Sequence, residues 1–358
     1  MLKKRKPTYI ILILASLTLA ILLSGCSGSA LGASSWPGIA LGNSVVYIAF
    51  NQSIIAINTE TGVERWRFPN EPERAQIFFA SPAISDDLMV VGGYDNIVYA
   101  INPDSRNEEW RFEGASGRII GGPVLSEELV FVPSADGFLY ALDLDNGFLV
   151  WKFETKQAIW STPLVTEDRV YITSLDHFIY ALEMNTGALI WKTELSAAIT
   201  DAPTLTDDYL LVGTFGNRIV ALDVDSGSEV WSFDTEGWVW GSPTINNDKA
   251  YFGDVEGNVY VATLQRGVQE WTEKLDGPIT ASPVIVDDAI YFLTQSGTIY
   301  SRDTVENTPK WQVTVSGPIY SEPLILDNSL IVATTNPEAL LVAINKETGN
   351  QIWTYKYE

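Results

Sequence analysis

The chain of 358 residues is poor in the side chains from which most catalytic and metal sites are built. It has one cysteine, Cys26, and none after it, so no disulfide framework, cysteine-based zinc site or thiol nucleophile exists in the body that follows. A single histidine, His177, excludes a polyhistidine metal centre. Positive charge is scarce as well: 22 lysines and arginines stand against 45 aspartates and glutamates, a net charge of −23 at neutral pH. That field repels a polyanion and argues against nucleic acid as a partner, while a basic protein surface remains compatible with it. A sustained helical period is also missing beyond the N-terminal segment. Apolar bulk is abundant: 12 tryptophans, 15 tyrosines and 14 phenylalanines mark a chain that folds rather than one that stays disordered.

The start of the chain reads as an address. A basic run, Lys3 to Lys6, precedes an apolar run from Tyr9 to Leu23 and then small residues. The apolar run suits the core of a signal peptide better than a spanning helix, which needs roughly 20 residues. Leu23-Ser24-Gly25-Cys26 resembles the lipobox of bacterial lipoproteins. The resemblance implies cleavage before Cys26, lipidation of its thiol and export of the body on a membrane anchor. The anchor would face the periplasm from the outer membrane of a two-membrane cell, or the exterior of a one-membrane cell. The expected division is therefore a signal peptide over 1–25, a flexible Gly-, Ser- and Ala-rich tether over 26–35, and one folded domain over 36–358.

That domain is repetitive. Trp66, Trp110, Trp151, Trp191, Trp231, Trp271, Trp311 and Trp353 recur at intervals of 40 to 44 residues. Pro37, Pro82, Pro123, Pro163, Pro203, Pro243, Pro283 and Pro323 keep the same beat, so the chain contains eight repeats. The unit from Thr162 to Thr193 shows four short runs of strand character, TPLV, RVYITS, FIYALEM and ALIWKT, separated by tight polar turns. Eight such units predict an all-β, eight-bladed β-propeller of four-stranded antiparallel blades, which leaves only short edges. The chain is expected to enter blade one at its first strand, near Gly38 to Leu41, and to leave blade eight on its fourth. The ring then closes by face-to-face packing, with no strand shared between the ends.

Around each tryptophan the pattern is Ala-x-Asp-x-x-Thr-Gly-x-x-x-Trp. Ala56, Ala100, Ala141, Ala181, Ala221 and Ala343 hold the first place, with Val261 and Ser301 in the other two blades. Gly62, Gly147, Gly187, Gly227, Gly267 and Gly349 hold the seventh, from which Arg106 and Asn307 depart. This resembles the tryptophan-docking motif of the pyrroloquinoline-quinone-type propellers. The resemblance implies that each indole stacks between its own alanine and the glycine peptide of the next blade, interrupted where the pattern departs. Each indole buries roughly 150–250 Å², or about 4–6 kcal/mol as an upper figure. Eight dispersed indoles form staples, not an active site.

The two faces differ. Turns after the first strands carry acidic pairs such as Asp86-Asp87, Glu127-Glu128 and Asp287-Asp288, and turns before the tryptophans share that face. Asp and Asn suit hairpin turns, and acid also promotes solubility. Asp143-x-Asp145-x-Gly147 looks like a calcium loop, but its glycine falls one place early, so no metal site is expected. On the opposite face, three residues before each repeat proline, even-numbered blades carry Phe79, Trp160, Trp240 and Tyr320, while odd-numbered ones carry no aromatic. With Asp201 and Glu322 in the same loops, these residues make a candidate binding site at the mouth of a central funnel. His177 occupies a second-turn place filled elsewhere by Gln52, Asn96, Gly137, Asn217, Gly257, Gly297 and Ala339, and a left-handed turn is expected there.

Quinoprotein dehydrogenases share the propeller, so an enzyme or a ligand sensor is the alternative reading. Their adjacent-cysteine disulfide is missing here and their catalytic residues have no counterparts, although Trp160 or Trp240 could support a planar ring. No cofactor and no catalytic residue are assigned. Signal, lipidated cysteine and eight blades together resemble the outer-membrane assembly lipoproteins typified by BamB. The resemblance implies a lipid-anchored, non-catalytic scaffold in the cell envelope, whose partner is an envelope or membrane protein or an extended peptide.

Overall fold

The computed structural model describes residues 36–69, 71 and 76–358. The expected signal peptide, Cys26 and the tether over 26–35 lie outside the described residues. The rest forms eight four-stranded antiparallel sheets, each built from consecutive strands in sequence order. Blade four is representative: Leu164 pairs with Tyr171, Tyr171 with Ala181, and Ala181 with Trp191, from the axis outward.

Burial follows from this stacking of sheets. Middle strands are covered on both faces, so Arg169–Thr173 and Phe178–Glu183 are buried almost throughout. The outer strand Leu189–Glu194 buries Trp191 between exposed neighbours. The hydrophobic core is accordingly divided into eight clusters, each filling one seam between blades. One seam joins Tyr171, Ile179 and Trp191 of blade four to Leu210, Val212 and Leu222 of blade five. Another joins Ile48, Ile55 and Ile57 of blade one to Ile331, Leu341 and Ala343 of blade eight.

Every blade also carries a β-bulge at one place, immediately after the pairing of the motif's first residue with its tryptophan. A bulge bends and twists the strand that bears it, which blunts the outer edge against pairing with another chain.

Six indoles clamp the following blade. The Nε1–H groups of Trp110, Trp151, Trp191, Trp231 and Trp311 donate to the carbonyl oxygens of Leu144, Met184, Val224, Leu264 and Lys346, at 2.8 to 3.2 Å. Trp353 closes the ring in the same way, donating to the Thr59 carbonyl at 2.9 Å. Each of these rings lies against the glycine of the next blade, as Trp151 does on Gly187. Among the described residues, Trp66 and Trp271 make no such hydrogen bond. They are the two that face Arg106 and Asn307 instead of glycine. Trp271 has the Arg302 guanidinium over its ring, at 4.9 Å from the centroid. The turn itself is left-handed in all eight blades, with φ of 63° at Arg106 and 57° at Asn307, so the departures change the side chain and not the backbone.

Ring closure uses no shared strand. Beyond the Trp353 clamp, Tyr355 donates to Glu64 at 2.5 Å, and the Arg67 guanidinium donates to the Glu358 carbonyl at 3.2 Å. Tyr357 packs edge-on against Phe50. The second-turn expectation holds at His177, where φ is 77°, and at Asn96, Gly137, Asn217, Gly257 and Gly297, but it needs correcting in two blades. In blade one Asn51, not Gln52, is left-handed; in blade eight Ala339 ends a 3₁₀ turn over Pro337–Ala339. That blade has a longer connection, which a short helical turn fills.

Gly187→Ala should therefore destabilise by about 2–5 kcal/mol, combining left-handed strain of about 1–2 with overpacking of about 1–3. Its added Cβ would lie 2.4 Å from the Trp151 ring. Arg106→Ala, where no indole is clamped, should change stability by less than about 0.5 kcal/mol. Denaturant midpoints at constant m-value would show the contrast, and equal losses at the two sites would refute the clamp.

Candidate functional site

The site is built from the loops that enter each innermost strand. In blades two to eight an apolar side chain four residues before the repeat proline, Phe78, Ile119, Ile159, Ile199, Val239, Ile279 or Ile319, is buried in the seam. Backbone bonds reinforce this anchor: the Ile159 N–H donates to the Ser134 carbonyl, and the Val239 N–H to the Thr214 carbonyl, both at 3.1 Å. With that residue fixed inward, the next one reaches the axis. The loops of all eight blades meet around one central cavity of about 440 Å³.

Phe79, Trp160, Asp201, Trp240, Tyr320 and Glu322 all line this cavity. Phe79 contributes least, because it is only 5% exposed and packs on Tyr94 with ring centroids 4.1 Å apart. Sequence reasoning missed Trp36, which lies at the mouth between Trp240 (6.0 Å, edge-on) and Tyr320 (5.8 Å). The aromatic row continues from Trp240 to Phe215 (5.1 Å) and on to Trp238, which stacks on Phe215 at 4.9 Å. A signal for this was present. Of 12 tryptophans, eight keep the repeat, and Trp36, Trp160, Trp238 and Trp240 are the remainder.

The floor is polar. The residue preceding the repeat proline is often a small hydroxyl, and these bond from blade to blade: the Gly122 N–H donates to Thr162 Oγ1 at 3.1 Å, and the Ser242 N–H to Ser282 Oγ at 3.0 Å. Asp201 is held here by two amides, accepting from the Ala202 N–H and the Ser242 N–H at 2.9 Å each. Burial raises its carboxyl above the usual range, and the amide and hydroxyl bonds resist that rise. Glu322 is open to funnel water, yet protein surrounds its carboxylate, so it is less well solvated than a surface acid. Burial first, and the Asp201 charge second, push Glu322 up to about 7, against a hydrogen bond with Ser282 that lowers it. Among the described residues the lining contains no lysine, arginine or histidine to neutralise the pair. Thr200 Oγ1 and Ser321 Oγ, in the same loops, are buried without a hydrogen-bond partner among the described residues.

The opposite face carries the acidic turns, side by side as the alternation of turns requires. The Met184 N–H donates to the Asp168 carbonyl at 3.0 Å, and the Thr304 N–H to the Asp288 carbonyl at 2.9 Å. Asp143 Oδ1 accepts from the Asp145 and Asn146 amides, the chemistry of a turn. Several acids there are paired, including Asp288 with Lys310 at 2.7 Å and Asp287 with Lys346 at 3.1 Å. Among the described residues no three of His, Cys, Asp and Glu converge as metal ligands. His177 is exposed on its turn and does not line the funnel.

Comparison with known proteins agrees with this architecture. The profile of a family described as outer membrane protein assembly factor BamB matches residues 22–120, 95–184, 175–303 and 271–358. No curated protein matches the chain. The crystal structure of BamB from Moraxella catarrhalis is similar in fold, with a TM-score of 0.73 at 17% identity, over 83% of this chain and 93% of that one. The computationally designed protein Ika8 is similar too, with a TM-score of 0.74 at 16% identity, over 90% of this chain and 98% of the design.

The Glu322 environment has a measurable consequence. A carboxyl whose folded pKa is raised from 4.5 to about 7 destabilises the fold progressively as pH rises between those values, and by a constant amount above them. Wild type should lose thermal stability relative to Glu322→Gln between pH 5 and pH 8, with Asp201 common to both. A gap that is the same at both pH values would mean that Glu322 titrates as an ordinary surface acid.

Proposed function

The chain belongs to the BamB family, and from that footing we propose that it is a lipid-anchored, non-catalytic scaffold of the cell envelope, serving outer-membrane protein assembly by docking a partner at its funnel. The observation that carries this reading is the funnel itself, where eight loops bring Trp36, Trp160, Trp240 and Tyr320 to one cavity. Aromatic anchors of this kind dominate binding energy at protein interfaces, because they bury much area at little conformational cost. The partner is an envelope or membrane protein, or an extended peptide of one. The lipobox-like Leu23-Ser24-Gly25-Cys26 supports the anchor from sequence.

Two measurements test the parts separately. In pull-downs from envelope extract, the double variant Trp160→Ala, Trp240→Ala should recover less than a tenth of the partner retained by wild type, the loss of about 1.4 kcal/mol or more expected for a hot spot. Undiminished recovery would remove the funnel from the docking surface. Cys26→Ala should move the protein from the membrane to the soluble fraction with an unchanged melting temperature, and continued membrane retention would refute the anchor.

A further inference from the structure

We propose that the funnel recognises an organic cation, presented as a lysine or arginine side chain on an extended segment of the partner. This rests on the reading of the funnel as a docking site and specifies what enters it. Three independent features converge. Charge comes first: Asp201 from blade five and Glu322 from blade eight line the same cavity and repel each other electrostatically, and among the described residues no basic side chain lines it. Asp201 is hydrogen-bonded by the Ala202 and Ser242 amides and Glu322 by the Ser282 hydroxyl, but neither acid has an opposite charge beside it in the described lining, and a bound cation supplies one.

The walls supply the second feature. Trp36, Trp240 and Tyr320 form a continuous aromatic surface at the mouth, with neighbouring ring centroids 6.0 Å and 5.8 Å apart. Faces of tryptophan and tyrosine attract ammonium and guanidinium groups, and several such faces together make an aromatic cage. The third feature is hydrogen-bonding capacity. Thr200 Oγ1, in a residue 8% exposed, and Ser321 Oγ are buried in lining residues without a hydrogen-bond partner among the described residues, so a small rotation of either side chain would give a bound N–H group an acceptor. A cavity of about 440 Å³ is ample for one long side chain and falls in the range of roughly 300–1,000 Å³ typical of ligand pockets.

Other ligand classes fit less well. An anion would meet two carboxylates. A purely apolar group would bury the floor without pairing it, which is costly for charged groups. A cation pairs the acids, and it also exchanges for the proton that Glu322 holds near neutrality. The groups that act on Glu322 are the Asp201 carboxylate and the Ser282 hydroxyl from blade seven, and Tyr320 of its own loop is the titratable side chain that shares the lining with them. Binding is therefore linked to proton release: the empty site is half protonated at about pH 7, and the occupied site is not.

Titration calorimetry on the detergent-solubilised full-length protein tests this, using the blocked peptides acetyl-GGKGG-amide and acetyl-GGRGG-amide. The comparison probes are the same peptide with norleucine at the centre, and free n-butylamine. Lysine and arginine peptides should bind at least tenfold more tightly than the norleucine peptide at pH 8, and more tightly than butylamine. Lysine-peptide affinity should rise about tenfold from pH 6 to pH 8, the change expected for one linked proton. Glu322→Gln should flatten that profile while keeping the wild-type circular-dichroism spectrum, which distinguishes loss of charge from loss of fold. Equal affinity for lysine and norleucine, or an unaltered pH profile in Glu322→Gln, overturns the proposal. Butylamine binding as tightly as the peptide overturns its polypeptide source. Should lysine discrimination fail while Trp160→Ala, Trp240→Ala still loses the partner, docking stands and the cation falls alone. Lysine-selective binding with partner recovery untouched would support the cation site and remove it from docking.

Discussion

Each seam of the ring is held by an indole that reaches out of one blade and settles on the backbone of the next. A four-stranded sheet of this size has too little core to be stable alone, and its two faces are useful only when pressed against neighbours. The tryptophan contributes area, a hydrogen bond to a carbonyl across the seam, and a flat surface that only a glycine peptide can approach closely. Where Arg106 and Asn307 replace that glycine, the backbone conformation survives but the cross-seam hydrogen bond does not. The clamp and the turn are thus separable: the turn is a local requirement met eight times, the clamp a tertiary one met six times.

Holding the blades from outside leaves the inner loops free to vary. In blades two to eight each loop sets one apolar residue in the seam, as Ile159 and Val239 do, and presents the next to the axis. Repetition therefore supplies the geometry, and departures from repetition supply the chemistry. Asp201 and Glu322 have no acidic equivalents in the other described loops, and burial works against the charge of both carboxyls. Acids retained at a thermodynamic disadvantage are characteristic of binding sites rather than of scaffolding.

Much of this was legible from spacing. The period of the tryptophans and prolines specified eight blades, the glycines specified left-handed turns, and the alternation at the third place before proline brought Phe79, Trp160, Trp240 and Tyr320 to one cavity. What spacing missed lay out of register. Trp36 precedes its proline directly, at a place held elsewhere by residues such as Ser81, Gly122 and Thr162, so counting three places back led to Ser34, outside the described residues. Gln52 was misplaced by one residue because Asn51 satisfies the same backbone demand, and Ala339 because a longer connection in blade eight permits a 3₁₀ turn. The conserved position of the bulges was invisible, since the bulged residue is polar in some blades, as Glu270 is, and apolar in others, as Ile190 is. Phe79 shows the reverse limit: it keeps the right place, but Tyr94 covers its ring.

The junction of blades eight and one is made from the same parts as most of the others, with Trp353 on Gly62 and on the Thr59 carbonyl. No strand is lent across it. The first and last described strands therefore meet at a seam of the ordinary kind, reinforced by Tyr355, Tyr357 and Arg67, and the circle is close to indifferent to where it is cut. Genes for such a ring can be permuted, or gain and lose whole units by recombination, without inventing a new fastening for the break.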